Sequence, residues 1–128
     1  MNDCIFCKVI SRNVFGYIID EDDTVICFLS LENHPLVVPK LHIPNIYSLD
    51  SENGNRLMSE MIKIANAVKT GLACDGVYIT QANEPAAGQD VFHIHFHIYP
   101  RWNNREVTEK AIPEQELVEK IKTALLLP

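Results

Sequence analysis

The sequence has no run of about 18 apolar residues, so nothing in it has the length to cross a bilayer as a helix. It starts Met1-Asn2-Asp3-Cys4, without the basic segment and following apolar stretch of a secretory leader. The two absences together lead to the expectation of a cytoplasmic protein with no membrane partner. Positive charge is scarce: 11 Lys and Arg stand against 17 Asp and Glu, a formal net charge of -6. No basic stripe is left to displace counterions from a nucleic-acid polymer, and such a partner is not expected. The same deficit does not exclude a small phosphate ester, because a few N–H groups and imidazoles can hold one inside a pocket. Repeats, low-complexity blocks and linker-like stretches are missing too. The 128 residues, 47% hydrophobic and 22% charged, are therefore expected to form one domain, residues 1–128, around one core.

What is present reads as a succession of short elements. Val14 to Asp20 and Thr24 to Leu29 are rich in β-branched and aromatic residues, and the polar Glu21-Asp22-Asp23 between them suits a hairpin turn. Leu36-Val37-Val38, stopped by Pro39, suits a further buried strand. After an N-cap at Asp50 or Ser51, the apolar residues Leu57, Met61, Ile64, Val68 and Leu72 recur at helical spacing, predicting a central helix that ends near Gly71. Its Met and Leu stripe is core packing rather than a cofactor contact. Strands are predicted at Val77 to Thr80 and at Phe92 to Tyr99, and a last helix begins at Pro113 with Leu117, Ile121 and Leu125 on one side. Consecutive antiparallel-type strands with one central and one C-terminal helix indicate an α+β fold.

Three of the five histidines alternate in one predicted strand, His93-Ile94-His95-Phe96-His97. Alternation sends the three imidazoles to one face, with Val91, Ile94, Phe96 and Ile98 assigned to the other. Imidazole titrates near neutrality, so such a face can attack phosphorus, stabilise charge and deliver a proton. Cys4-x-x-Cys7 is a chelating pair for zinc, but it makes only half of a tetrahedral site; without two further ligands it is a reduced dithiol. Cys27 and Cys74 read as small buried residues, and His34, in a polar loop before Pro35, as a solvated side chain.

The segment Ala87-Gly88-Gln89-Asp90-Val91-Phe92-His93-Ile94-His95-Phe96-His97-Ile98-Tyr99-Pro100-Arg101 resembles the signature of the histidine triad family. Cys4-Ile5-Phe6-Cys7, Phe28-Leu29 and Val37-Val38-Pro39-Lys40-Leu41-His42 match that family's order of motifs, so the resemblance extends over most of the chain. It implies a family fold with an antiparallel sheet, one central helix and one C-terminal helix, and a small-molecule nucleotide as partner. It implies His95 as a nucleophile forming a transient phosphoryl-histidine, and His97 as the residue that orients it and binds phosphate. Gly88, Gln89 and Asp90 are implied to approach the phosphate, with Asn83 as the amide ahead of them. A third histidine, rather than the glutamine of the transferase branch, points to hydrolysis of a nucleoside phosphoramidate or dinucleoside polyphosphate. The alternative is a nucleotide-binding or partner-binding module with negligible turnover.

The resemblance further implies His42 and His93 as the missing ligands, giving one structural zinc per chain on Cys4, Cys7, His42 and His93, and a homodimer as the assembly. Two departures concern the nucleoside. Ser30 stands where many members carry a ribose-binding aspartate, and the loop from Leu31 to Pro35 is about four residues shorter than the common pattern.

Overall fold

The structure, a computed structural model, describes residues 3–127. Its elements are α1 (Ile5–Ile10), β1 (Ile18–Glu21), β2 (Val25–Leu29), β3 (Pro35–Pro39), α2 (Ser51–Gly71), β4 (Gly76–Thr80), β5 (Phe96–Arg101) and α3 (Glu114–Leu125). The fold is α+β, as expected: five antiparallel strands in the order β1-β2-β3-β5-β4.

Every residue of β2 and β3 is buried, because both faces of these strands are covered. Val25, Cys27, Leu29 and Val37 pack with Ile98 against α2 and α3. The alternate residues Ile26, Phe28, Leu36 and Val38 pack on the opposite face against Phe6 and Val9 of α1. The β1–β2 turn closes as the sequence suggests, with Asp22 Oδ1 accepting from the N–H groups of Thr24 and Val25 at 2.7 and 2.9 Å. In α2 the N-cap is Asp50, whose carboxylate accepts from Asn53 N–H at 2.8 Å, and Leu57, Met61, Ile64 and Val68 are all buried.

Three local features differ from the sequence reading. The helix α1 has six residues, too few to register as a periodic pattern; it is started by Cys4, whose Sγ accepts from Cys7 N–H at 3.4 Å. β1 begins at Ile18 instead of Val14, and a bulge lies between Ile18 and Asp20. β5 begins at Phe96 instead of Phe92 and runs through Pro100 to Arg101. Residues before Phe96 leave the sheet ladder because their backbone bonds elsewhere, Ile94 N–H donating to Ile43 C=O at 2.7 Å. Pro100 is tolerated because β3 pairs with β5 only at His97 and Phe96, so no ladder bond is lost on that side.

On the helix side of the sheet one carboxyl group is out of place. Glu60 of α2 is 5% exposed and packs beside Asp20 of β1, with Lys63 Nζ 2.8 Å from Asp20 and 4.0 Å from Glu60. Burial first, then Asp20, push the Glu60 carboxyl up to about 8, against the help of Lys63. A folded-state value above the ordinary 4.5 means that folding favours the protonated acid. This contribution is complete below about pH 4.5 and is lost as pH rises through about 8. Glu60→Gln, which keeps a neutral hydrogen-bonding group, is therefore expected to be more stable than wild type at pH 8.5 by about 1–2 kcal/mol and close to it at pH 5. Thermal unfolding of the two proteins across pH 5–8.5 checks this, and parallel curves would show that Glu60 is ionised throughout.

Candidate active site and metal centre

The register of β3 against β5 sets His97 opposite Leu36, on the face that α1 covers. His95 and His93 precede it at two-residue spacing, ahead of the ladder, and all three rings lie on that side, with Val91 beside them rather than opposite. Ile98, buried on the helix side, keeps the alternation.

His93 is fully buried, and its Nε2–H donates to the Pro39 carbonyl at 2.8 Å. That bond leaves the Nδ1 lone pair directed at the thiols, 3.4 Å from Cys4 Sγ and 3.5 Å from Cys7 Sγ. His42 approaches from the loop after β3, with Nδ1 3.3 Å from Cys7 Sγ. One ligand atom from each of Cys4, Cys7, His42 and His93 lies within 4.8 Å of the others. In tetrahedral zinc a sulfur and a nitrogen ligand sit about 3.5 Å apart, given bonds of about 2.3 and 2.0 Å, so the donor set and its spacing fit the metal. Burial is the main force holding the His93 imidazole near 4, in the neutral form a ligand requires. The helix α1 accounts for the cysteine spacing: as N-cap and third helical residue, Cys4 and Cys7 are neighbours on one turn.

His95 is oriented in the same way one step further along. Its Nδ1–H donates to the His93 carbonyl at 2.8 Å, so Nε2 carries the lone pair. Phe6 sets its edge against the ring at 4.9 Å between centroids, and Asp90 Oδ1 lies 3.7 Å from Nε2. His95 and Asp90 line a cavity of about 500 Å³ whose other walls include Phe6, Val14, Phe15 and Phe28. A shallower depression of about 580 Å³, beside Lys110 and Glu114, contains none of the histidines and is not the chemical site.

His97 is held by a residue the sequence reading left in solvent. His34 is 1% exposed, its Nε2 lies 2.9 Å from His97 Nδ1, and its ring packs on Tyr99 at 4.0 Å. Burial, reinforced by His97, lowers His34 to about 4. His97 is also lowered, by burial and then by His95, while Asp90 and Glu32 act in the opposite direction. The available signal was parity: His34, Leu36 and Val38 share a face, but only the register with β5 tells which one.

The remaining residues of the sequence reading divide. Asp90 and Ser30 line the cavity, and so does Glu32. Gly88 and Gln89 do not, because their N–H groups are used within their own turn, by Pro85 C=O at 2.9 Å and Glu84 C=O at 3.1 Å. Gly88 makes that turn possible at φ 97°. The Gln89 side chain is a buried strut that accepts from Glu84 N–H and donates to the carbonyls of Pro44 and Val91. Asn83 pairs reciprocally with Gln81 and accepts from Ile46 N–H, bracing the loop after β4 at a distance from the cavity lining.

The family model described as the HIT domain matches residues 16–104. An uncharacterised HIT-like protein of Borreliella burgdorferi is 39% identical over 81% of this chain and 79% of its own length. Adenylylsulfatase HINT3 of Arabidopsis thaliana is 35% identical over 78% of this chain and 53% of its own. Among solved structures, a zinc-bound histidine triad family protein from Mycobacterium smegmatis superposes with a TM-score of 0.87 at 30% identity, covering 96% of this chain and 93% of that one. That neighbour is itself zinc-bound, and in this chain Cys4, Cys7, His42 and His93 form a Cys2His2 cluster positioned for a metal ion whose donors fit zinc. Protein purified without chelator is expected to carry one zinc per chain by elemental analysis. Cys4→Ser/Cys7→Ser should lose it together with several degrees of thermal stability, since the metal binds only the folded arrangement; a metal-free wild type would refute the site.

Proposed function

The chain belongs to the HIT domain family, and from that membership we propose that it is a hydrolase of nucleotide phosphoryl linkages with His95 as its nucleophile. The observation that carries this reading is the orientation of His95: its Nδ1–H is committed to a backbone carbonyl, and its Nε2 lies beside Asp90 at the cavity. The lone pair of Nε2 attacks phosphorus, and the bond to the departing oxygen or nitrogen breaks with its electron pair. His97 donates its ring N–H to the phosphoryl oxygens, and the departing atom takes a proton from water. The hydroxide left by that transfer attacks the phosphoryl-histidine, the phosphorus–nitrogen bond breaks, and its electron pair returns to His95 Nε2. Zinc on Cys4, Cys7, His42 and His93 supplies structure only, because four protein ligands leave no open position for water.

The substrate is proposed to be a nucleoside phosphoramidate or a dinucleoside polyphosphate. The aromatic walls from Phe6, Phe15 and Phe28 suit a nucleobase, and the Arabidopsis relative's name, an adenylylsulfatase, supports an adenylyl group as the electrophile. Gly88 and Gln89 act in this reading by setting the turn that presents Asp90. A cytoplasmic setting, where thiols stay reduced, suits the cysteine pair, and residues 1–128 are taken as one catalytic domain. Among the described residues no helix is long and apolar enough to cross a membrane.

His95→Asn keeps much of the side-chain shape without the nucleophilic lone pair and is expected to lower turnover by at least about a thousandfold; His97→Ala, which leaves the nucleophile in place, by about ten- to a hundredfold. Steady-state hydrolysis of adenosine phosphoramidate and of a diadenosine polyphosphate measures both and separates the two substrate types. Wild-type rates from His95→Asn, or a larger loss in His97→Ala, would overturn the assignment, and negligible wild-type turnover with retained nucleotide binding would favour a binding module.

The proposed homodimer is supported by the sheet's β4 edge. Ile79 lies opposite Ile98 on the helix side and is 43% exposed, while Met58 and Ile62, one turn apart on α2, are also exposed. An apolar edge of this kind invites pairing with a second copy. Met58→Glu/Ile62→Glu should convert a dimer to a monomer by light scattering on a sizing column; an unchanged mass would move the interface elsewhere.

A further inference from the structure

Ser30 lines the cavity, yet its hydroxyl is already engaged on every side. Its Oγ accepts from Glu32 N–H at 3.2 Å and from His34 N–H at 3.2 Å, and lies 3.1 Å from His34 Nδ1. A serine oxygen has two lone pairs and one proton. With both lone pairs facing backbone N–H groups, the contact with His34 Nδ1 falls to the hydroxyl proton.

The consequence travels. His34 is buried and neutral at pH 7, so it carries a single ring proton. If Nδ1 accepts from Ser30, that proton is on Nε2, and His34 donates across the 2.9 Å contact to His97 Nδ1. His97, itself biased toward the neutral form by burial, then bears its proton on Nε2, the nitrogen left for the cavity it lines. The Glu32 backbone favours the charged His34 ring, but burial outweighs it and the ring stays neutral. A proton on Nδ1 would reverse the chain, but it would bring three donors to one serine oxygen and leave the serine's own proton without its partner. The arrangement that satisfies every atom runs from Ser30 outward.

We propose that Ser30 is a positioning residue: it donates to His34, makes His34 a donor to His97, and so keeps the His97 proton on Nε2, where it can donate a hydrogen bond to a phosphoryl oxygen. The inference rests on the proposed hydrolytic reading for its role in catalysis, but the hydrogen-bond directions are a property of the resting protein. Ser30 is accordingly not available to a nucleoside sugar, and the polar group on that stretch of wall is Glu32.

Nitrogen-15 spectra of histidine-labelled, zinc-loaded protein distinguish a ring nitrogen that carries a proton from one that does not. His34 and His97 of wild type are expected to show the proton on Nε2 and a bare Nδ1. Ser30→Ala should lose that preference and lower kcat for adenosine phosphoramidate about tenfold with KM within about twofold, whereas Ser30→Thr, which retains the hydroxyl, should restore both readouts. A wild-type spectrum with protons on Nδ1 overturns the relay whatever the variants do and without reference to activity. Ser30→Ala with unchanged tautomers and a raised KM would overturn it too, making Ser30 a sugar contact. Normal wild-type tautomers with no hydrolysis by any of the three proteins would leave the hydrogen-bond directions standing and defeat the hydrolase reading instead.

Discussion

Two backbone carbonyls decide what the histidines can do. The Pro39 carbonyl takes the proton-bearing nitrogen of His93, and the His93 carbonyl takes that of His95, each at 2.8 Å. Each bond fixes one ring and leaves the opposite nitrogen as a lone pair. For His93 that lone pair faces two thiols; for His95 it faces the cavity. Neither ring has an easy alternative. His93 is wholly buried and His95 nearly so, and a buried N–H that loses its acceptor costs about 1–3 kcal/mol. A structural metal site and a nucleophile are thus adjacent steps of one hydrogen-bonded segment, and any shift of β3 at Pro39 would reach both.

The third histidine depends on side chains instead, and these come from the short β2–β3 loop. Ser30 N–H donates to His34 C=O at 2.8 Å, closing the loop, and Asn33 takes a left-handed conformation at φ 69°. Asn33 then donates to the carbonyls of Glu109 and Ile112, both at 2.6 Å, tying the loop to the segment before α3. The loop that bears on His97 is therefore braced by residues some 76 positions further along the chain. Position 30, where the family resemblance leads one to expect a ribose-binding acid, holds a serine committed to the loop's own geometry.

Core and chemistry share the same strands. Val37 of β3 faces the helices while Leu36 faces α1 and pairs with His97, so alternate residues serve stability and the site. Large-to-small changes at Leu36 or Phe28 would be felt at the histidines through packing as well as through lost burial, which for an aliphatic residue costs about 2–5 kcal/mol.

The sequence by itself determined the α+β class, the central and C-terminal helices, strands β2, β3 and β4 near their observed bounds, and the three alternating histidines. These are periodic or turn-encoded features, and burial of one face enforces the period. The four zinc donors were also legible, through Cys4-x-x-Cys7 and the resemblance carried by Pro39-Lys40-Leu41-His42 and the histidine segment. Tertiary structure decided the rest. That His34 is buried against His97 follows from the β3–β5 register, which no local spacing encodes. That Gly88 and Gln89 spend their N–H groups on their own turn, and Asn83 its amide on Gln81 and Ile46, depends on which acceptors the folded loops bring near. The hydrogen-bond partner of a polar group is a property of three-dimensional neighbourhood, so a residue's type could be read from the sequence while its commitment could not.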